Sequence, residues 1–186
     1  VSFSDLEKST IPERAVIITF DDGYASFIPY AFPFLQAYGF HATINIIGQF
    51  VGSYFTEGVT RPMLSWDEYR YLASSGLVSL GCHTSRLHLY RQQGVLGASD
   101  DALLEDLKQF QQEFTRQMGE PSKIIAWPYG LYNANSIAMA QKAGFRYILT
   151  STGGVYRNTG NYTEIPRNNV KGSEGLFNFQ AMVEVK

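Results

Sequence analysis

The chain has 186 residues, a formal net charge of −2, 45% hydrophobic residues and one cysteine. That length suits one domain with a continuous core, and without a basic excess to displace counterions a nucleic-acid surface is excluded. No apolar run approaches the roughly 20 residues that cross a bilayer, and the single Cys82 rules out an internal disulfide. Aromatic residues make up 15% of the chain; they can fill a core or, where exposed, offer flat faces to sugars.

Short apolar strands alternate with amphipathic helices. Ala15–Phe20 is a β-branched apolar run, as expected of a strand buried on both faces. A helix is predicted over Phe27–Tyr38 and a strand over Thr43–Ile47. Ser65 and Glu68 form a capping box that starts a helix ending at Gly76, and Leu77–Leu80 is the next strand. Ser99–Met118 carries the clearest helical period, at Leu103, Leu104, Leu107, Phe110 and Phe114, with Gly119-Glu120-Pro121 as its stop. A strand at Lys123–Trp127, a helix at Asn135–Ala143 and a strand at Tyr147–Thr150 follow. The Gly- and Asn-rich stretch Thr152–Asn161 reads as a loop, and Ser173–Met182 as a last helix. Repeated strand–helix units imply an α/β fold with a parallel sheet, either a barrel or a doubly wound layer. Nothing marks a domain boundary, so residues 1–186 are expected to form a single domain.

Four features fall just after predicted strands, the edge where parallel α/β folds build their sites. In Thr19-Phe20-Asp21-Asp22-Gly23 two adjacent carboxylates would repel each other, which a cation relieves. Neighbouring side chains also diverge, so one can bind a metal while the other addresses a water. An ordinary Asp-Asp-Gly turn is the plainer reading. His83-Thr84-Ser85-Arg86-Leu87-His88 holds two of the three histidines. On a helix they would stand about 140° apart, so they converge on one ion only if the segment is irregular. One aspartate and two histidines leave room for water, as catalytic zinc sites do.

In Ala126-Trp127-Pro128-Tyr129-Gly130, a fixed turn could aim backbone N–H groups at a developing oxyanion. There Trp127 either stacks on a sugar or lies buried beside the turn. In Ile165-Pro166-Arg167, the arginine either orients Asp21 or is a solvated charge. His41, at the entry to a strand, reads as structural.

These motifs, in this order, resemble the polysaccharide deacetylase family of carbohydrate esterases over nearly the whole chain. The Thr-Phe-Asp-Asp-Gly run is the most specific, and Gly39-Phe40-His41-Ala42-Thr43 resembles the family's Gly-Phe-Pro-Ala-Thr strand entry. The five-residue histidine offset and Trp-Pro-Tyr-Gly look most like the branch that deacetylates poly-β-1,6-N-acetylglucosamine. The resemblance implies a distorted (β/α) barrel and one divalent transition metal, zinc or else cobalt, nickel or iron. It implies Asp22, His83 and His88 as ligands, Asp21 as general base and the Tyr129 N–H as an oxyanion donor; Trp127 and Pro128, from the turn itself, are candidates to lie against substrate. It further implies an N-acetylated polysaccharide as partner and an extracellular or cell-surface setting; a monomer is expected. Two departures stand out. Ala126 occupies a position where relatives often carry a base-orienting arginine, a role suggested here for Arg167. No histidine follows His88 to match the family's late general acid. With Val at position 1, the barrel is expected to be incomplete at its N-terminus.

Overall fold

A computed structural model describes residues 1–8, 10–88, 93–157 and 159–184. Five strands, β1 (Ile18–Phe20), β2 (Ala42–Ile46), β5 (Val78–Cys82), β6 (Ile124–Ala126) and β7 (Tyr147–Leu149), form one parallel sheet in the order β1-β2-β5-β6-β7. Helices fill the crossovers: α1 (Phe27–Tyr30), α2 (Phe32–Tyr38), α3 (Trp66–Ser74), α4 (Asp100–Met118) and α5 (Ala134–Lys142). The curled sheet with its helices is the expected distorted (β/α) barrel. A hairpin of β3 (Tyr54–Glu57) and β4 (Val59–Pro62) stands apart from the sheet, and α6 (Leu176–Val183) ends the described chain.

Alternation along the strands sorts side chains to two faces. Ala42, Ile44 and Ile46 of β2, with Ile125 and Ile148, join the main core under the helices. Ile124, Ala126, Tyr147 and Leu149 belong instead to a second cluster, which Phe3, Leu6 and Ile165 complete. α4 buries Leu103, Leu107, Phe110 and Phe114 in the main core, at about 1.5–3 kcal/mol for each fully buried side chain. Its Ser99 cap accepts from the Ala102 N–H, and Gly119, at φ +90°, ends it. The Ser65–Glu68 capping box is present as expected.

Three expectations are corrected. β1 is shorter than Ala15–Phe20 and lies at the sheet edge, so it is half-covered and Phe20 remains 37% exposed. The helix expected over Phe27–Tyr38 divides at Ala31, because Pro33 has no N–H to carry the hydrogen-bond ladder across. The β3–β4 hairpin was not anticipated; three of its four β4 residues are polar or proline, so β4 shows no apolar alternation. In the expected loop 152–161 no helix or strand occurs among the described residues, and residue 158 lies outside them.

Candidate metal and catalytic centre

Asp21 and Asp22 follow β1 directly and point apart. Asp22 takes a left-handed backbone (φ +73°) and Gly23 another (φ +91°). Gly23 has no substitute here: a Cβ on it would lie 2.0 Å from the Tyr69 hydroxyl oxygen. Thr84 (φ +69°) and Tyr129 (φ +57°) are also left-handed, so three of the four such non-glycine residues described lie in the loops around one point. Backbone strain of this kind, about 1–3 kcal/mol per residue, persists where surrounding contacts enforce it.

Asp22 turns toward both histidines. Its Oδ1 lies 3.6 Å from His83 Nε2 and 3.4 Å from His88 Nε2, and one ligand atom from each of the three residues lies within 4.8 Å of the others. Segment 83–88 is irregular, as convergence required. His83 is 3% exposed, and its Nδ1 meets the Ala126 carbonyl at 2.8 Å. A carbonyl only accepts, so Nδ1 carries the proton and the neutral ring turns its Nε2 lone pair toward a carboxylate oxygen. Two acceptors facing each other in a buried place call for a cation between them. Ligands about 2.0–2.1 Å from a tetrahedral ion stand about 3.3 Å apart, close to the carboxylate–imidazole separations seen. The donor set therefore fits a divalent transition metal.

Burial pushes the Asp22 carboxyl up, but the two histidines and Tyr24 outweigh it and leave its pKa lowered. For His83, burial wins over the two aspartates and lowers the pKa, favouring the neutral, ligating ring. The Phe55 ring stands edge-on to His88 at 5.3 Å, so the unanticipated hairpin walls the site.

Asp21 faces the other way. Arg167 Nη1 and Nη2 donate to Oδ1 and Oδ2 at 2.7 and 2.8 Å, and Asn45 Nδ2 donates to Oδ1 at 2.8 Å. Burial raises the Asp21 pKa, but His83, Arg167 and Asn45 together hold it well below the usual carboxylate range. Arg167 is fixed in turn by the Thr150 carbonyl at 2.9 Å and Thr19 Oγ1 at 3.2 Å. It is thus bound to Asp21 and not a solvated charge. Asn45 escaped the sequence reading because, like Thr43, it sits among the apolar residues of a buried strand. Gly81 was an indirect sign of it, since a Cβ there would lie 2.2 Å from Asn45 Oδ1.

The polysaccharide deacetylase family profile matches residues 8–148. The chain belongs to that family. It is 31% identical over 144 residues to the poly-β-1,6-N-acetyl-D-glucosamine N-deacetylase of Staphylococcus aureus strain MSSA476, covering 76% of this chain and 49% of that protein. The Escherichia coli K12 protein of the same name is 28% identical over 203 residues, covering 93% of this chain and 30% of its own. The chain thus spans half or less of these curated relatives. Among solved structures, IcaB from Ammonifex degensii aligns with a TM-score of 0.82 at 26% identity, over 91% of this chain and 73% of that one. A de-N-acetylase from Aggregatibacter actinomycetemcomitans shares the fold, with a TM-score of 0.84 at 23% identity over 98% and 82%.

In this deacetylase-family fold the Trp-Pro-Tyr-Gly turn borders the Asp22–His83–His88 cluster. The Tyr129 ring lies 4.7 Å from that of His88, and its hydroxyl is 3.4 Å from His88 Nδ1. Trp127 is 1% exposed, packed in the main core with Tyr132 stacked at 6.4 Å. Its ring has no free face for a sugar, so the buried reading describes it. Pro128 is buried as well and shapes the turn. His41 is exposed at the N-terminal end of β2, across the sheet from this cluster. Under the ligand turn, Cys82 is fully buried; burial raises its thiol pKa well above the ordinary value, and its sulfur accepts the Thr84 N–H at 3.2 Å. Among the described residues no helix is long and apolar enough to cross a membrane.

Proposed function

We propose that residues 1–186 form one catalytic domain that hydrolyses N-acetyl groups from an extracellular N-acetylglucosamine polysaccharide, poly-β-1,6-N-acetylglucosamine being favoured, and releases acetate. The observation that carries this is the facing of the Asp22 carboxylate and the His83 and His88 Nε2 atoms, beside an Asp21 held by Arg167. The names of the staphylococcal and Escherichia coli relatives support the choice of glycan. The domain acts as a monomer outside the cell.

Asp22, His83 and His88 would hold one divalent transition ion, zinc first and cobalt, nickel or iron as alternatives. When bound, that ion supplies Lewis acidity, polarising the acetamide carbonyl and making water at the site easier to deprotonate. Asp21 accepts the water's proton. Its Oδ1 already takes two donors and its Oδ2 one, so Oδ2 keeps a lone pair for that proton. The lowered pKa keeps Asp21 ionised at neutral pH but makes it a weak base, so it depends on the water's being acidified. The Tyr129 N–H assists the developing oxyanion, and Pro128 fixes the turn that presents it. No further histidine of this chain is placed to protonate the leaving amine. That feature also favours a second reading, a glycan-binding relative without turnover.

Acetate release from poly-β-1,6-N-acetylglucosamine, chitin oligomers and peptidoglycan, each with and without chelator, tests the proposal. Chelator-sensitive release from the β-1,6 polymer is expected. Release only from another glycan would move the substrate assignment, and binding without release on any of them would leave the second reading.

A further inference from the structure

The turn between His83 and His88 has to be held against its own backbone preference, since Thr84 is β-branched and adopts φ +69°. Its carbonyls are fastened from one side: the Gly48 N–H donates to Thr84 O at 3.0 Å and the Gln49 N–H to Ser85 O at 2.8 Å. Its N–H groups are fastened from the other side by one carboxylate. Asp106, on α4 and 6% exposed, accepts the Ser85 N–H on Oδ2 and the Arg86 N–H on Oδ1, both at 2.8 Å. The Arg86 charge also favours the ionised carboxylate, but the hydrogen bonds of that carboxylate go to the backbone of this turn. Burying a charged group for two backbone donors is costly unless those bonds do something a neutral residue would not.

We propose that Asp106 is a positioning residue for the metal site: its carboxylate clamps the peptide units between His83 and His88 and so fixes the separation and aim of the two imidazoles. This rests on the metal-site reading given above. Outer partners of this kind set affinity by holding ligands in place before the ion arrives. Asp106 bonds only backbone of the turn and is not one of the three clustered side chains, so it would act through them. Asp106→Asn nearly preserves shape but turns an NH2 toward one of the two N–H donors, so one bond is lost and two donors are set facing each other.

The test is titration of the chelator-stripped full chain with Co²⁺, followed by visible absorption, with thermal melting of the metal-free protein in parallel. Asp106→Asn is expected to weaken Co²⁺ binding about 10- to 100-fold and to alter the ligand-field bands. Gln111→Ala is the control on the same helix. Gln111 is buried and bonds the Ser122 and Ala143 carbonyls and the Ser122 N–H, remote from the ligand turn. It should lower the melting temperature and leave Co²⁺ affinity unchanged. If Asp106→Asn lowers the melting temperature but binds Co²⁺ like the parent, Asp106 only stabilises the fold and the proposal is overturned. Should Asp106→Asn fail to fold, Asp106→Glu keeps the charge while displacing it, and the same weakening of Co²⁺ binding is required of it. A parent protein that takes up no Co²⁺ would overturn the metal-site reading itself, a result distinct from equal binding by parent and variant.

Discussion

Asp22, His83 and His88 hang from β1 and β5, the latter in the middle of the sheet, and the turn carrying the histidines is fastened by the residues after β2 and by α4. Asp21 depends instead on Arg167, which arrives from the irregular segment after β7 and reaches back over 146 positions of sequence. The Asp22–His83–His88 half, with both imidazoles buried, is therefore held largely by regular elements. The Asp21–Arg167 half is closed by a loop held to the barrel by the Ile165–Leu149 bridge, the Ile148 N–H to Tyr162 carbonyl bond, the Tyr162 hydroxyl to Leu6 carbonyl bond and the Arg167 bonds. On the proposed reading, the difference teaches that ligand geometry and base orientation can fail separately.

The largest effect is expected where the first half is broken. Asp22→Ala and His83→Ala should each abolish both metal uptake, measured by elemental analysis, and acetate release. Asp21→Asn should divide the two halves: metal content stays stoichiometric while kcat falls about 10²- to 10⁴-fold. Arg167→Lys should be milder, with kcat down about 10- to 100-fold and metal affinity unaltered. It should also shift the acid limb of the pH–rate profile. Arg167 helps hold the Asp21 pKa below its ordinary value of 3.8. The stability this gives is present above pH 3.8 and lost as pH falls through the lower folded value. Weakening the partner raises the folded pKa, so the acid limb moves to higher pH and the acid-unfolding midpoint does too. Smallest of all, Ser99→Ala removes the α4 cap, whose one bond is to the Ala102 N–H and not to either half. It should cost about 1 kcal/mol in denaturant melts and leave kcat and metal content intact.

Much of this was legible from residue patterns because it is local. The Ser65–Glu68 box and the Ser99 cap act within one turn, and the apolar period of Leu103 to Phe114 states which face of α4 is buried. The motif positions followed from strand ends in a parallel sheet. What stayed hidden was long-range polar pairing. Asn45 looks like an interruption in an apolar strand until Asp21 is placed beside it, and Asp106 looks like any charge on an amphipathic helix until the 83–88 turn is folded against it. The β3–β4 hairpin hid for another reason: Val59–Pro62 is exposed throughout, so burial imposes no alternation on its sequence. Trp127 illustrates the opposite difficulty, since an aromatic beside a functional turn reads equally well as ligand contact or as core until its exposure is known.

Cys82 gives the molecule a built-in gauge. Its sulfur sits beneath the ligand turn, shut off from solvent and kept in the unreactive thiol form. A thiol reagent can reach it only when the end of β5 and the turn above it come away from the barrel. The labelling rate of this one atom therefore counts openings of the ligand turn in the untreated protein, without any engineered probe and against a background free of other thiols.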